Sequence, residues 1–420
     1  MSQPRPSKKF KPVPFEYHQE IELTIHALSN LGQGIGRIDV DAEHQGWVVF
    51  VPSTLPGEKV LVRIYRNDKN CSQGDLVKIL EPSPERVDPK CPLFGTCGGC
   101  QYQNLSYDKQ LEWKTQQVQE LLKHMVGIEF DVEPAHPSPQ EWNYRSKLTP
   151  HFGRPRNGKI EEIGFLRPGT RQHLVDVENC PIAMQEINDA LPQIRAEIRA
   201  NAAKYKKNAQ VLLRVTEGRV ETNTRTPISE SVGDLKFHFL AGDFFQNNPF
   251  ILPAFTDYVA RQASAGGAKF LVDAYSGSGL FALCLAKNFE QVAGVEVSET
   301  AVDFATKNAK LNGITNAKFL ASSAEAIFAD ITFPGDETAV VIDPPRKGCN
   351  QEFLDQLFAF GPSKVVYVSC NPATQMRDLN HFLEAGYKLE EVQPFDLFPQ
   401  TRHLECISVL SKGEAEPLQG

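Results

Sequence analysis

Short apolar runs alternate with helical stretches throughout the C-terminal half of this 420-residue chain. The strand-like runs occupy residues 269–274, 292–297, 338–342, 364–369 and 404–410. Strands that alternate with helices at this spacing are typical of a doubly wound parallel sheet with helices on both faces. We therefore predict an α/β domain of Rossmann-like architecture over residues 246–412.

The N-terminal part of the chain has a different pattern. Four alternating runs, at 21–25, 46–51, 59–65 and 76–80, are separated by Gly, Pro and Asn. This pattern predicts a small all-β, OB-like barrel over 16–82. The glycines of the segment 32–36 enter a strand rather than open a helix, which favours a glycine-bent hairpin over a nucleotide site. We expect a disordered basic lead at 1–15 and a mixed α+β middle region at 83–245.

Composition excludes several classes of protein. Hydrophobic residues make up 41% and charged residues 23% of the chain, as in ordinary globular domains. We find no run of about 18 apolar residues that could span a bilayer and no apolar secretory segment at the start. We therefore expect a cytoplasmic, monomeric protein that does not bind membranes.

Charge alone does not decide whether the chain binds nucleic acid. The net charge is −8, from 44 basic and 52 acidic residues. Local clusters matter more than the total. The segment 143–171 interleaves aromatic Tyr144, Phe152 and Phe165 with seven basic residues: Arg145, Lys147, Arg154, Arg156, Lys159, Arg167 and Arg171. It suits single-stranded RNA, although an ordinary solvated strand face explains each residue nearly as well.

A glycine turn follows the first strand of the α/β region. The turn reads Tyr275-Ser-Gly277-Ser-Gly279, and Glu296 ends the next strand. It lacks the third glycine of a dinucleotide site and the Lys-Ser/Thr pair of a P-loop. A ligand with a ribose but no pyrophosphate fits, and S-adenosylmethionine is such a ligand; another ribose-containing ligand is the alternative. Asp343 follows a buried strand, which places its carboxylate at the same, ligand-binding edge of the sheet. The alternative is that Asp343 only caps a proline turn.

A thiol and a carboxylate come at the ends of two further strands. Cys370 follows the run 364–369, and Glu405 begins the last strand. Each alone is ordinary, because a Cys is more often a small core residue and a Glu at a strand end is usually solvated. Together they suit methylation of uracil at carbon 5. Thiolate attack at carbon 6 activates carbon 5, and a base then removes the carbon 5 proton so that the thiol can leave.

With these residues the chain resembles the RNA uracil-5 methyltransferases, the 5-methyluridine family dependent on S-adenosylmethionine, over about 18–411. The barrel resembles a TRAM RNA-binding domain through 32–37 and 50–58. The resemblance implies Cys370 as nucleophile and Glu405 as base. It implies S-adenosylmethionine contacts at Gln246, Tyr275, Gly277, Gly279, Glu296, Ser323 and Asp343. Ser323 stands where relatives often have Asn or Asp, and Leu280 where they often have Asn.

Nine cysteines in a chain without an export signal favour reduced thiols, metal ligation or catalysis over disulfides. The resemblance implies that Cys91, Cys97, Cys100 and Cys180 hold a 4Fe–4S cluster. Four thiolates suit zinc equally well by chemistry. A fourth ligand some 80 residues away is unlike a compact zinc ribbon, which favours the cluster in a structural role. Ordinary reduced cysteines are the remaining alternative.

The expected substrate is a uridine in an RNA loop or unwound segment, because the base must leave its stack to meet the thiol. The combination of barrel and cluster motif favours 23S ribosomal RNA, with the T-loop uridine of transfer RNA as the alternative. A non-catalytic RNA-binding protein is a second alternative. Cytosine-5 methylation is disfavoured, because Cys349 follows a glycine where RNA cytosine enzymes have a second Cys in a Pro-Cys or Thr-Cys context.

Overall fold

The computed structural model describes residues 10–170, 173–322 and 326–413. Its strands are β1 Glu20–Leu28, β2 Gln33–Ile38, β3 Trp47–Pro52, β4 Lys59–Asn67, β5 Cys71–Glu81, β6 Lys147–Leu148, β7 His151–Phe152, β8 Ile163–Leu166, β9 Leu174–Asp176, β10 Ala209–Gln210, β11 Leu213–Thr216, β12 Arg219–Glu221, β13 Pro227–Val232, β14 Leu235–Leu240, β15 Phe270–Ala274, β16 Gln291–Glu296, β17 Ala317–Ala321, β18 Thr338–Ile342, β19 Lys364–Ser369, β20 Tyr387–Phe395 and β21 Glu405–Lys412. Its α-helices are α1 Tyr107–Leu121, α2 Gln185–Ala200, α3 Leu252–Ser264, α4 Leu280–Leu285, α5 Glu299–Leu311, α6 Gln351–Phe360 and α7 Pro372–Glu384.

The chain divides into two compact units. The first contains the described residues up to Gln117 together with Glu162–Val177 and Gln400–Arg402. The second contains Val118–Glu161, Glu178–Pro399 and the described residues from His403 onward. The region 83–245, which the sequence suggests as a separate middle region, is therefore shared between the two units.

A closed five-stranded barrel forms the N-terminal part of the first unit. Its strand order is β1-β2-β3-β5-β4, with β3 and β5 parallel and the other neighbours antiparallel. Buried and exposed residues alternate along β1 because successive side chains of a strand point to opposite faces. A Cβ at Gly36 would lie 2.5 Å from Leu23, so the barrel wall requires a glycine there. The all-β barrel and the glycine-bent hairpin predicted from the sequence are thus both present.

The barrel core extends back to Phe15, which is buried among Ile21, Val49 and other apolar residues. Residues 1–9 of the expected lead lie outside the described residues. Phe15, the last residue of that expected lead, packs as a core residue, because an aromatic ring gains more from burial than from exposure to water.

A mixed sheet of seven strands forms the centre of the second unit. Its order is β17-β16-β15-β18-β19-β21-β20. The first five strands are parallel, whereas β21 runs antiparallel to both β19 and β20. The predicted doubly wound domain is therefore present, with β21 and β20 added at one edge, of which only β21 runs against the other strands.

Apolar side chains cover both faces of this sheet. Leu271, on β15, packs in one cluster with residues of α3 and α4. Its neighbour Val272 packs in the other cluster with residues of α6 and α7. Because strand residues alternate between faces, strands buried on both sides read as continuous apolar runs. The same geometry places the turns that follow the parallel strands at one edge of the sheet, where open α/β sheets bind ligands.

Candidate active site

The pairing of β19 with β21 brings the candidate nucleophile and base together. The last antiparallel pair joins Ser369 to Cys406. Cys370 lies one residue beyond Ser369, and Glu405 one residue before Cys406, and the charge of Glu405 acts on the Cys370 thiol. Glu405 is only 2% exposed, and Cys370 is half-buried. A thiol and a carboxylate 35 residues apart in the chain therefore lie side by side at the edge of the sheet.

Burial and like charges disfavour the ionised forms of both groups. Burial raises the pKa of Cys370 to about 11, with further contributions from the negative charges of Glu405 and Asp343. Burial, and then Asp343, also raise the pKa of Glu405 well above its usual range. Burial raises the pKa of Asp343 to about 7. The site is thus an acidic cluster in which a thiolate needs help to form.

Arg346 supplies positive charge to this cluster. Its charge and a hydrogen bond to Cys370 lower the pKa of that thiol, in opposition to burial. Its charge also lowers the pKa of Glu405. Arg346 was not among the site residues predicted from the sequence. Its position could have indicated a role in the site, because it follows Asp343-Pro-Pro directly after the buried strand β18.

Glu296 lies beside the glycine turn on the other half of the same edge. Its two carboxylate oxygens accept backbone N–H groups, one from Gly277 at 3.0 Å and one from Ser298 at 3.0 Å. Gly277 has a positive φ of 53°, and the space that a Cβ would point into is open. The backbone of the turn is therefore accessible to a ligand beside a carboxylate that can accept from ribose hydroxyls.

The other predicted cofactor residues border this turn or precede the sheet. Tyr275 adopts the left-handed conformation, with φ 67°, and its ring centre lies 5.3 Å from that of Phe353. Such strain in a non-glycine residue is concentrated at functional turns. Gly279, at φ 91°, caps the start of α4. Gln246 is buried in the segment after β14. Ser323 lies outside the described residues.

The segment that carries Gln246 is held by basic side chains from the strands below it. The guanidinium of buried Arg214 donates to Asp243 O at 2.9 Å. Lys147 Nζ lies 3.3 Å from the carbonyl oxygens of Gly242 and Asp243. Burial and the charge of Arg214 lower the pKa of Lys147 to about 8. The Lys147 ammonium group therefore donates to backbone carbonyls of the segment 242–243, and the side chain is only partly exposed to an incoming phosphate.

The aromatic residues of the predicted RNA face are not available for stacking. Tyr144 and Phe152 are buried, and Tyr144 donates to Pro399 O at 2.9 Å. The expectation that these two rings stack on bases is wrong, because both side chains are packed in the core, Phe152 from strand β7 and Tyr144 from the segment before β6. Phe165 is half-buried, and Arg171 lies outside the described residues. The basic residues Arg154, Arg156, Lys159 and Arg167 are exposed, as expected.

An exposed aromatic residue, Phe244, lies two residues before Gln246 in the chain. It was not predicted as a site residue from the sequence. Phe244 is 73% exposed, whereas its neighbour Phe245 is buried in the core. An exposed ring two residues from a buried polar side chain breaks the usual rule that large aromatic groups are inside. The doublet Phe244-Phe245 could have indicated an exposed ring, because two adjacent side chains of an extended segment point in opposite directions and only one of them can enter the core.

The cysteines of the predicted cluster are half-buried. Cys91, Cys97 and Cys100 lie in one loop of the first unit, and Cys180 lies in the second unit. Within residues 10–170, 173–322 and 326–413, no three His, Cys, Asp or Glu side chains are arranged to hold a metal ion. Burial, and then the charge of Cys91, raise the pKa of Cys97. The 4Fe–4S cluster therefore stays a prediction of the cysteine pattern.

Among the helices of the described residues, none is both long and apolar enough to cross a membrane.

Comparison with known proteins identifies the two parts of the chain. Residues 224–413 match the family model "tRNA (Uracil-5-)-methyltransferase", and residues 15–77 match the TRAM domain. The chain is 43% identical over 424 residues to a tRNA (uracil(54)-C(5))-methyltransferase of Schizosaccharomyces pombe, covering 95% of this chain and 80% of that protein. It is 34% identical to the Saccharomyces cerevisiae protein of the same name, covering 96% of this chain and 75% of that one.

A bacterial relative and a solved structure match nearly end to end. An uncharacterized RNA methyltransferase of Halalkalibacterium halodurans is 31% identical over 94% of this chain and 98% of its own length. The crystal structure of the Pyrococcus abyssi tRNA (uracil-54, C5)-methyltransferase, in complex with S-adenosyl-L-homocysteine, superposes with a TM-score of 0.70 over 93% of this chain and 100% of that one. At 24% identity it shows a shared fold. The chain belongs to the tRNA (uracil-5-)-methyltransferase family, with an N-terminal TRAM domain, and is an S-adenosylmethionine-dependent RNA (uracil-5-)-methyltransferase.

Proposed function

We propose that this enzyme methylates carbon 5 of the T-loop uridine, uridine 54, of transfer RNA. The names of the S. pombe and S. cerevisiae relatives support this substrate, and both proteins are covered over at least three quarters of their length. The sequence interpretation favoured 23S ribosomal RNA instead. That interpretation depended on the combination of barrel and cluster motif, which does not distinguish one structured RNA from another, and the relatives favour the transfer RNA alternative.

The observation that carries the catalytic proposal is the pairing of Ser369 with Cys406, because it places the next residue, Cys370, and the preceding residue, Glu405, near each other. In the proposed reaction the Cys370 thiolate forms a bond to carbon 6 of uracil, and the carbon 5–carbon 6 π electrons move onto carbon 5 and its carbonyl. Carbon 5 then takes the methyl group, and the sulfonium sulfur keeps the electron pair of the broken bond. This is covalent catalysis by an activated nucleophile.

Arg346 supports the first step. A hydrogen bond and a positive charge next to Cys370 favour the thiolate in surroundings that otherwise favour the thiol. The methyl donor, a substrate that is itself a cation at sulfur, adds positive charge to the same acidic cluster. Thiolate formation is then favoured when S-adenosylmethionine is bound.

Glu405 supports the last step. Within the part of the chain that the structure describes, its buried Oε2 has no hydrogen-bond partner. A carboxylate with one oxygen that accepts no hydrogen bond, and with a pKa raised by burial, has a high proton affinity once it is ionised. Glu405 takes the carbon 5 proton, the carbon 5–carbon 6 double bond re-forms, and the bond from carbon 6 to the thiolate breaks. The products are 5-methyluridine in the RNA, S-adenosylhomocysteine, and the enzyme with a free Cys370 thiolate and the proton on Glu405.

Substrate binding is assigned to the opposite half of the sheet edge. Glu296 accepts from the ribose hydroxyls of S-adenosylmethionine, and Gly277 leaves its turn open for close approach. Gln246, Tyr275, Gly279 and Asp343 border the same ligand. Exposed Phe244 offers a ring face for stacking a base near Gln246.

The first experiment measures both the chemistry and the substrate. The purified enzyme is incubated with methyl-labelled S-adenosylmethionine and separate pools of transfer RNA and ribosomal RNA, each lacking 5-methyluridine. We expect labelled 5-methyluridine in transfer RNA alone, lost when uridine 54 is replaced by cytidine. Label in ribosomal RNA alone would reject the proposed substrate. No label in either pool, with both RNAs bound, would favour the non-catalytic RNA-binding alternative.

A separate measurement tests the predicted cluster. We propose a structural 4Fe–4S cluster held by Cys91, Cys97, Cys100 and Cys180, supported by three thiols within ten residues of one loop. Anaerobically purified protein is expected to contain about four iron and four sulfide per chain, and Cys97→Ser is expected to lose them. Stoichiometric zinc without iron, or no bound metal at all, would contradict the cluster.

A further inference from the structure

Helix α7 begins directly after Cys370, and one of its faces carries polar side chains in the protein interior. Gln375 and Asp378 are at most 1% exposed, and Asn371 precedes the helix as its cap residue. The spacing of four and then three residues places all three on the same face. Buried polar groups are unfavourable unless they are hydrogen-bonded, so their partners indicate why they are there.

The partners are backbone groups of the segments that carry the proposed catalytic residues. Asn371 Nδ2 donates to Arg346 O at 3.1 Å. Gln375 Nε2 donates to Tyr367 O at 2.8 Å on β19 and to Cys406 O at 3.0 Å on β21. Strand β19 ends one residue before Cys370 and β21 begins at Glu405, so one amide group links the strand that precedes the nucleophile to the strand of the base.

Asp378 holds the far end of the turn that carries Arg346. Its Oδ2 accepts from Cys349 N at 2.8 Å and from the Tyr367 hydroxyl at 2.7 Å. A Cβ on Gly348 would lie 2.5 Å from this same oxygen, so the turn lies directly on the carboxylate. The turn 343–349 is therefore fixed at Arg346 by Asn371 and at Cys349 by Asp378.

We propose that Asn371, Gln375 and Asp378 are positioning residues that hold Arg346, Cys370 and Glu405 in their reactive arrangement. This inference rests on the proposed function of those three residues. Apolar side chains of similar size would serve a helix that only packs on the sheet, since removing a buried polar network in favour of apolar packing is often neutral for stability. The polar face instead fixes the distances between the segments that carry the reacting groups, and nucleophilic and base catalysis require those groups to be held at set distances from one another.

The central test compares two substitutions of Asp378. Asp378→Ala removes the acceptor for Cys349 N and the Tyr367 hydroxyl. Asp378→Asn keeps an acceptor oxygen there but removes the charge. Asp355→Ala, which removes an exposed carboxylate from neighbouring α6, is the matched control. Two quantities are measured: the single-turnover methylation rate at saturating substrates, and the pH midpoint for alkylation of Cys370 by iodoacetamide, read from its peptide by mass spectrometry.

We expect Asp378→Ala to lower the methylation rate by about tenfold or more, because small displacements of reacting groups have effects of this size. We expect its alkylation midpoint to rise by about one pH unit, because Arg346 moves away from the thiol that also faces Glu405 and Asp343. Asp378→Asn should retain the rate within about threefold, and Asp355→Ala should match wild type. Wild-type values of both quantities in Asp378→Ala would overturn the proposal, as would a lower rate with an unmoved midpoint.

A second variant covers the case in which Asp378→Ala does not fold. Gln375→Met has similar volume but cannot link Tyr367 O to Cys406 O. It should lower the single-turnover rate about tenfold and leave the KM for both substrates within about twofold; an unchanged rate would contradict the proposal. Cys370→Ala, measured alongside, separates the two levels. Methylation by Cys370→Ala would reject the nucleophile itself, whereas an inactive Cys370→Ala with fully active Gln375→Met and Asp378 variants would reject only the positioning role.

Discussion

Two carboxylates at the same edge of the central sheet have opposite surroundings. Glu296, beside the glycine turn, accepts backbone N–H groups at both oxygens. Glu405, at the start of β21, is buried, and among the described residues its Oε2 has no hydrogen-bond partner. Burial and Asp343 raise the pKa of Glu405. The same residue type thus has both oxygens hydrogen-bonded at one position and, within the described part of the chain, a buried oxygen without a partner at the other.

The difference shows how one sheet divides binding from chemistry. A carboxylate that backbone donors hold in place is suited to accept further hydrogen bonds from ribose hydroxyls. A buried carboxylate beside a second acidic group binds a proton strongly, which suits a base that acts after the methyl group has moved. Substitutions on each half should therefore separate binding from turnover.

The largest effect is expected from Glu405→Gln. The amide cannot take the carbon 5 proton, so the reaction should stop after methyl transfer with Cys370 still bonded to carbon 6. We expect turnover to fall about 10³-fold and a covalent enzyme–RNA adduct to accumulate. Denaturing gel electrophoresis with labelled RNA detects the adduct. Glu384→Gln, an exposed carboxylate at the end of α7, is the control and should behave as wild type. An active Glu405→Gln enzyme without an adduct would remove Glu405 from the base role.

A smaller effect is expected from Arg346→Gln. Without the guanidinium, the pKa of Cys370 should rise above its value of about 11. Below that pH the thiolate fraction rises with pH in both enzymes, so the variant should be slower by a constant factor of about ten or more. The measurement is the pH profile of the single-turnover rate between pH 7 and 9.5, with Arg261→Gln on α3 as the control. A deficit that disappears within this pH range would contradict direct support of the thiolate by Arg346.

Apolar patterning predicted most of the sheet, but not its two outer strands or its strand directions. The runs at 338–342 and 364–369 coincide with β18 and β19, which are buried on both faces. Strand β17 reads Ala-Lys-Phe-Leu-Ala and is only half-buried, and β20 carries Glu390 and Glu391. Edge strands have one weakly covered face, so their apolar signal is diluted. The direction of a strand in the sheet depends on the loop or helix that leads into it, and an apolar run does not indicate that direction.

The candidate site was predictable as a set of residues but not as a geometry. Strand ends that share an edge already suggested that Asp343 and Cys370 lie near the glycine turn. The pairing of Cys370 with Glu405 depends on the antiparallel register of β21, and a slip of one residue would turn Glu405 to the other face. The positions of Tyr144 and Phe152 in the core depend on tertiary packing, which overrides a local pattern of basic and aromatic residues.

On the binding half, Glu296→Gln should weaken S-adenosylmethionine binding and leave the chemistry nearly intact. Replacing a charged acceptor of ribose hydroxyls is expected to raise the KM for S-adenosylmethionine about tenfold, with kcat within about twofold. Initial rates over a range of S-adenosylmethionine concentrations, at saturating RNA, provide the test, and Glu299→Gln in the first turn of α5 is the control. A fall in kcat at unchanged KM would show that the two halves of the edge are not separable in this way.

The smallest effect is expected from Asp273→Asn, on stability rather than turnover. Burial raises the pKa of Asp273 to about 8, and its Oδ2 accepts from Ala282 N at 2.7 Å. In the unfolded chain this carboxyl has a pKa of about 3.9, so between these pH values the folded state holds a proton that the unfolded chain has released. Its contribution to stability is complete below about pH 4 and is lost as the pH rises through about 8.

From pH 6 to 7 the free energy of unfolding of wild type should therefore fall by about 1 kcal/mol more than that of Asp273→Asn. Urea denaturation at the two pH values measures this difference, with Asp355→Asn as an exposed control. The carboxyls of Asp343 and Glu405 act in the same direction, so the variant should retain part of the slope. Equal slopes in variant and wild type would show that Asp273 is already ionised in the folded protein at these pH values.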